Sequence, residues 1–155
     1  MIEPPKIVRS ARQLAARIHL TIPKSEIQRV MGPGLQEVHA ALAAQGVAPA
    51  GPWFTHHRRI EPHAWDFEIG VPVARPIAAH GRVQPCERPA TIVARAMYRG
   101  GYEGLGAAWG ELDAWIAAQK LAARADLWEV YALGPESGPD SAGWRTELNR
   151  PLSGA

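Results

Sequence analysis

One short phrase is written twice in this chain. WDFEIGVPV, from Trp65, and WRTELNRPL, from Trp144, both read W-x-x-E-x-x-x-P. Trp65, Glu68 and Pro72 correspond to Trp144, Glu147 and Pro151, each 79 positions later. Upstream, AALAAQGV (40–47) aligns with AWIAAQKL (114–121), with AAQ identical at an offset of 74. GPWFTHH (51–57) aligns with ADLWEVY (125–131), pairing Trp53 with Trp128 at an offset of 75. The longer loop GPESGPDSAG (134–143) carries the offset to 79. A near-constant offset broken by loop insertions is what duplication leaves behind. The fold must therefore be one that a single small unit can build twice.

The unit can be read from periodicity. LAARIHLTI (14–22) alternates, with Leu14, Ala16, Ile18, Leu20 and Ile22 on one face, which predicts a strand. Pro23 opens a short helical turn, and Gly32-Pro33-Gly34 is expected to interrupt it. A longer helix is expected from Leu35 to Gln45, ending at Gly46. WFTHHRR (53–59) and AWDFEIGVPV (64–73) read as strands, with Trp65, Phe67, Ile69 and Val71 on one face and Asp66 and Glu68 on the other. The second half repeats the order. ATIVARAMY (90–98) is a β-rich strand. Tyr102–Leu121 is a helix with an apolar stripe at Leu105, Trp109, Leu112 and Ile116. LWEVYAL (127–133) and GWRTELN (143–149) are strands. The expectation is one α+β domain over 1–155, built from two β-α-β-β repeats about a pseudo-two-fold axis. Repeat one covers about 12–73, a Pro-rich connector without periodicity covers 74–89, and repeat two covers about 90–152. Helices cover one side of antiparallel sheet, and a ligand cleft lies between the repeats.

Gross properties remove several function classes. The net charge is +2 and the basic residues are scattered apart from HHRR (56–59), so direct nucleic-acid binding is not expected. The single cysteine, Cys86, permits no intramolecular disulfide and is given no role. The N-terminus lacks the apolar core of a signal peptide, and no apolar run reaches the length of a membrane span, so a cytoplasmic chain is expected. Adjacent His56 and His57 point to opposite faces of a strand and cannot readily share an ion, so no metal site is expected. One of the pair, taken as His56, can instead line the cleft while its neighbour is packed or solvated. GGYEGLG (100–106) lacks both phosphate-loop spacings and reads as a turn before a helix. No cofactor is expected.

Glu68 and Glu147 then stand out. Each lies three positions after its Trp, and so on the opposite face of its strand. The two Trp residues would lie under the helices and the two Glu residues on open faces. A carboxylate in an aromatic-walled cleft can hold a cationic ligand. Partly desolvated, it can instead act as a general base on water. The plain alternative is that both acids simply solvate the outer face of a sheet.

YRGGYEGLGAAWGELDAWI followed by LWEVYALGPESGPDSAGWRTELNRPL resembles the GyrI-like, AraC-type effector-binding domain. GPWFTHH and WDFEIGVPV fit the same pattern, so the resemblance spans about residues 12–152. It implies two β-α-β-β units around a ligand cleft. Members of that family sense lipophilic, often cationic drugs within transcription regulators; others stand alone, some hydrolysing cyclopropane-bearing genotoxins, and one is associated with gyrase inhibition. The resemblance further implies a cleft glutamate at the motif position of Glu147, with an aromatic partner among Trp109, Tyr131 and Tyr98. Regulators of this type carry a helix-turn-helix before the effector domain, whereas about eleven residues precede the first strand read here. The expected function is stand-alone binding of lipophilic or cationic small molecules by Glu147, Glu68, Tyr98, Trp109, Tyr131 and His56. Two alternatives stand beside it: a hydrolase with Glu147 as base, and a module acting on a protein partner.

Overall fold

Alternating small and branched apolar residues build long strands, and their buried faces recruit two helices. The computed structural model describes residues 2–153. In chain order the strands are β1 (Lys6–Ser10), β2 (Gln13–Pro23), β3 (Phe54–Ile60), β4 (Ala64–Pro72), β5 (Gln84–Arg88), β6 (Thr91–Arg99), β7 (Leu127–Leu133) and β8 (Arg145–Pro151). Helix α1 spans Ile27–Ala44 and α2 spans Leu105–Ala118. Among the described residues no helix is long and apolar enough to cross a membrane.

The chain divides into two units, Ala11–Ala90 and Met1–Ser10 with Thr91–Ala155. In the first, the antiparallel order is β3-β4-β2-β5, with α1 on one face. Ile18, Phe67 and Ile69 meet Val38 and Leu42 of α1 in its core. In the second, the antiparallel order is β1-β6-β8-β7, with α2 on one face. Ala94, Ala96 and Leu148 meet Ala108, Leu112 and Ile116 there. The α+β class and the antiparallel sheets agree with the sequence reading. Each unit holds the expected β-α-β-β set plus one added edge strand.

Both edge strands lie where no strand was expected. β5 falls in the 74–89 segment and pairs with Gln13–Arg17 of β2. It is short, contains Pro85 and is mostly exposed, so it carries no alternation to read. β1 lies in the N-terminal segment and pairs with β6 of the second unit. Helix α1 is also longer than expected, running through Gly32-Pro33-Gly34. Burial of Val38, Ala41 and Leu42 offsets the hydrogen bond that Pro33 removes. Gly34 lets the helix approach the sheet, since a Cβ there would stand 2.7 Å from Ile69 Cδ1. α2 is shorter than expected: Tyr102–Gly104 is a 3-10 turn, and the helix stops at Ala118 before Lys120, whose φ is 59°.

The register also amends the repeat. His56 stands opposite Glu68, and Val130 stands opposite Glu147. If the two glutamates correspond, His56 corresponds to Val130, an offset of 130 − 56 = 74 rather than 75. The ladder irregularities agree, since they fall at Arg58 in β3 and at Ala132 in β7, again 74 apart. A one-residue slip moves every side chain to the other face. On this register the counterparts of Glu129 and Tyr131 are Thr55 and His57.

Candidate functional site

Alternation along β7 turns Leu127, Glu129 and Tyr131 toward the face that α2 covers, because Glu129 pairs with Leu148 and Tyr131 with Thr146. Glu129 is 8% exposed. Trp109, from α2, donates its indole N–H to Glu129 Oε2 at 2.7 Å, and the Tyr131 hydroxyl donates to Oε1 at 2.6 Å. Each carboxylate oxygen thus accepts one hydrogen bond from a neutral aromatic donor. No cation among the described residues stands within ion-pair distance of Glu129. Burial raises its pKa, and the Tyr131 and Trp109 donors only partly counter this.

Rings continue outward from the carboxylate. Tyr102, in the 3-10 turn before α2, meets Tyr131 edge-on with centroids 5.7 Å apart. Trp144 lies 5.2 Å from Tyr102 at a 42° tilt and donates its indole N–H to Gly138 O at 3.0 Å. Burial raises the Tyr102 phenol, and the charges of Glu136 and Glu129 add to this. Four aromatic side chains therefore follow one another beside a buried acid.

Glu147 has a different setting. It lies on the opposite face of β8, 3.4 Å from Arg95 Nε, and accepts a hydrogen bond from Asn149 Nδ2 at 3.1 Å. Trp109 and Tyr131 are brought to Glu129 and not to Glu147. Tyr98 is buried, and its hydroxyl donates to Gly101 O at 2.8 Å, pinning the turn ahead of α2. Trp144 follows a 3-10 turn at the mouth of β8 and packs on Tyr102, rather than deep under the helix.

Glu68 is 8% exposed on the open face of β4. Arg58 donates to it at 2.8 Å, Arg17 lies at 3.2 Å and His56 Nδ1 at 3.5 Å. Burial alone would raise this carboxyl, but His56, Arg58 and Arg17 hold it at about 2. The acid is thus already surrounded by cations. His57, on the other face, stacks 5.2 Å from Phe67 and lies edge-on 5.1 Å from Trp65. Burial, aided by the charges of His56 and Lys24, lowers its imidazole to about 4.

The sequence reading named Trp109 and Tyr131 but missed the acid between them. The available signal was strand alternation, which sets Glu129 with Leu127 and Tyr131 on the helix-facing side, before the irregularity at Ala132.

A protein-family model described as a GyrI-like small molecule binding domain matches residues 3–152. No curated protein matches the chain. Among solved structures, the EcmrR C-terminal domain superposes with a TM-score of 0.87 at 20% identity, covering 100% of this chain and 99% of that one. The EcmrR chain of a DNA complex matches with a TM-score of 0.85 at 21% identity; 96% of this chain is covered, which spans 57% of that chain. SAV2435 bound to tetraphenylphosphonium gives a TM-score of 0.67 at 13% identity, covering 98% and 95%. A hydrolase from Listeria innocua gives 0.65 at 13% identity, covering 96% and 91%. At these identities the likeness is one of fold.

Proposed function

Because this chain belongs to the GyrI-like small molecule binding domain family, we propose that it takes lipophilic cations, with Glu129 supplying the charge. The observation that carries this reading is the buried Glu129 carboxylate, held by two neutral donors and lacking a cation. An ionised group in that position is costly until it is paired. A ligand cation would complete the pair, and the π faces of Trp109, Tyr131, Tyr102 and Trp144 favour the same charge. Glu68 and Glu147 are less suited to this work, because Arg58 and Arg17 already pair with one and Arg95 with the other. The tetraphenylphosphonium held by SAV2435 is a cation of this class.

Titration calorimetry with tetraphenylphosphonium tests the proposal. Glu129→Gln keeps the size of the side chain and removes the charge. It should weaken binding by on the order of tenfold or more. Glu147→Gln should leave binding within about twofold, as expected for a charge outside the site. Equal binding by wild type and Glu129→Gln would sink the assignment.

A second reading shares the same residue. Burial brings Glu129 toward the proton affinity of a general base, and Tyr131 orients it. Water addition to a strained cyclopropane would then use Glu129 in the role the sequence reading gave to Glu147. Multiple turnovers by wild type, lost in Glu129→Gln, would favour the hydrolase. Recovery of intact compound would favour the binder.

A further inference from the structure

The open face of β1, β6 and β8 carries an arrangement that the cation site leaves unexplained. Ala94, Ala96 and Tyr98 pack toward α2. Alternation therefore turns Arg95, Met97 and Arg99 of β6 to the other side. Lys6 stands directly opposite Arg95 in the β1–β6 register. Arg99 stands directly opposite Arg145 in the β6–β8 register. Two cross-strand pairs of like charge thus flank Met97, itself opposite Glu147. Like charges placed directly opposite one another destabilise a sheet. A cavity of about 450 Å³ lies over these residues, bordered also by Glu3.

The charges do not cancel within the cavity. Lys6, Arg95, Arg99 and Arg145 give four positive charges against Glu3 and Glu147, a formal excess of 4 − 2 = 2. Arg99 Nε donates to Glu3 at 3.0 Å, and Arg95 lies 3.4 Å from Glu147. Arg145 donates only to the Gly143 carbonyl, at 3.0 Å, and Lys6 has no acidic partner among the described residues. Two cations on opposite sides of Met97 are thus left without acids.

We propose that this groove is a second binding site, which takes a small amphiphilic molecule bearing a phosphate-monoester dianion. Lys6 and Arg145 would hold the dianion, and its apolar part would rest on Met97. A dianion matches the excess of two charges, whereas a monocarboxylate leaves one unpaired. The guanidinium fork of Arg145 suits phosphate oxygens, and Lys6 adds a compact point charge. The cavity lies within the range of roughly 300–1,000 Å³ usual for small-molecule sites. Glu3 and Glu147 would repel a continuous polyanion laid along the groove, which favours a discrete ligand.

Calorimetry with phenyl phosphate at pH 8 and low salt tests this. Saturable one-site binding is expected, weakening as salt is added. Lys6→Gln and Arg145→Gln should each weaken it by about tenfold or more, with the fold intact by circular dichroism. Glu129→Gln should leave phenyl phosphate binding unchanged. Absence of saturable heat would overturn the proposal, as would affinity unaffected by both groove variants. Loss of binding in Glu129→Gln would place the compound at the other site and overturn it too. Because the two sites use different probes and residues, either can fail alone.

Discussion

Glu129 carries the charge in the cation site proposed above. Its carboxylate has given up water for two neutral hydrogen bonds and nothing of opposite charge. The raised pKa means that the native state holds this proton more tightly than the unfolded chain does. Stability from Glu129 is therefore fully present below the ordinary carboxylate pKa and is lost as pH rises through the folded value. Glu129→Gln should remove that loss. Its amide oxygen can accept from Trp109, and its NH2 can donate to the Tyr131 oxygen. Without ligand, the stability of the variant relative to wild type should rise from pH 5 to pH 8. Urea melts at the two pH values check this; a variant weakened equally at both would mean that the carboxylate is needed as a structural acceptor. Trp109 and Tyr131 were named in the sequence only as candidate partners of Glu147, beside Tyr98, and Glu129 was not named. The W-x-x-E-x-x-x-P phrase drew attention to Glu147 because duplication marks what two units share. The proposed cation site rests instead on what they do not share: in register, Thr55 stands where the other unit has Glu129.

At the scale of elements, close approaches decide what each strand tolerates. Phe54 of β3 lies across Gly70 of β4, so that a Cβ on Gly70 would fall 2.3 Å from Phe54 Cζ. The ring is 3% exposed, and Arg88 stands over it at 4.8 Å. Gly70→Ala must therefore displace a rigid ring, and should destabilise the protein by about 1–3 kcal/mol. Gly70→Ala combined with Phe54→Leu should recover part of this loss, because the leucine can move aside. Denaturant midpoints test both, and a neutral Gly70→Ala would show that the ring moves freely. The same scale explains which elements could be read in advance. β2, β4 and β6 each turn an apolar face to a helix, so the sequence pattern betrays them. β1 and β5 are short edges with little burial, and their pairing depends on partners distant in sequence. α1 crosses Gly32-Pro33-Gly34 because tertiary burial outweighs local propensity, which no local window reveals. The face of β7 was obscured by aligning Trp53 with Trp128, one residue away from the ladder register.

For the whole molecule, the two units carry buried ionisable groups of opposite sense. In the unit Ala11–Ala90, Glu68 is held at about 2 and His57 at about 4. Both values lie below those of the unfolded chain, so the stability from Glu68 is lost as pH falls through about 2. That from His57 begins to go below its ordinary 6.5 and is gone by about 4. For His57 the displacement from 6.5 to about 4 corresponds to roughly 3 kcal/mol. In the other unit Glu129 is displaced upward, and it contributes more as pH falls toward the ordinary carboxylate range. Lowering the pH from 7 to 5 should therefore loosen β2–β4 while firming β6–β8. Native-state hydrogen exchange, corrected for the intrinsic pH dependence of amide exchange, can resolve the two because opening is local. Protection should fall over 13–72 and hold or rise over 91–151. His57→Phe keeps a ring beside Phe67 and Trp65, and should flatten the first trend without touching the second. If both regions move together, either the units open as one or the His57 imidazole titrates near its ordinary value. Persistence of the acid loss in His57→Phe would single out the second explanation. Tetraphenylphosphonium should add to protection chiefly in the unit holding Glu129, and more at pH 7 than at pH 5, because proton and cation compete for the same carboxylate.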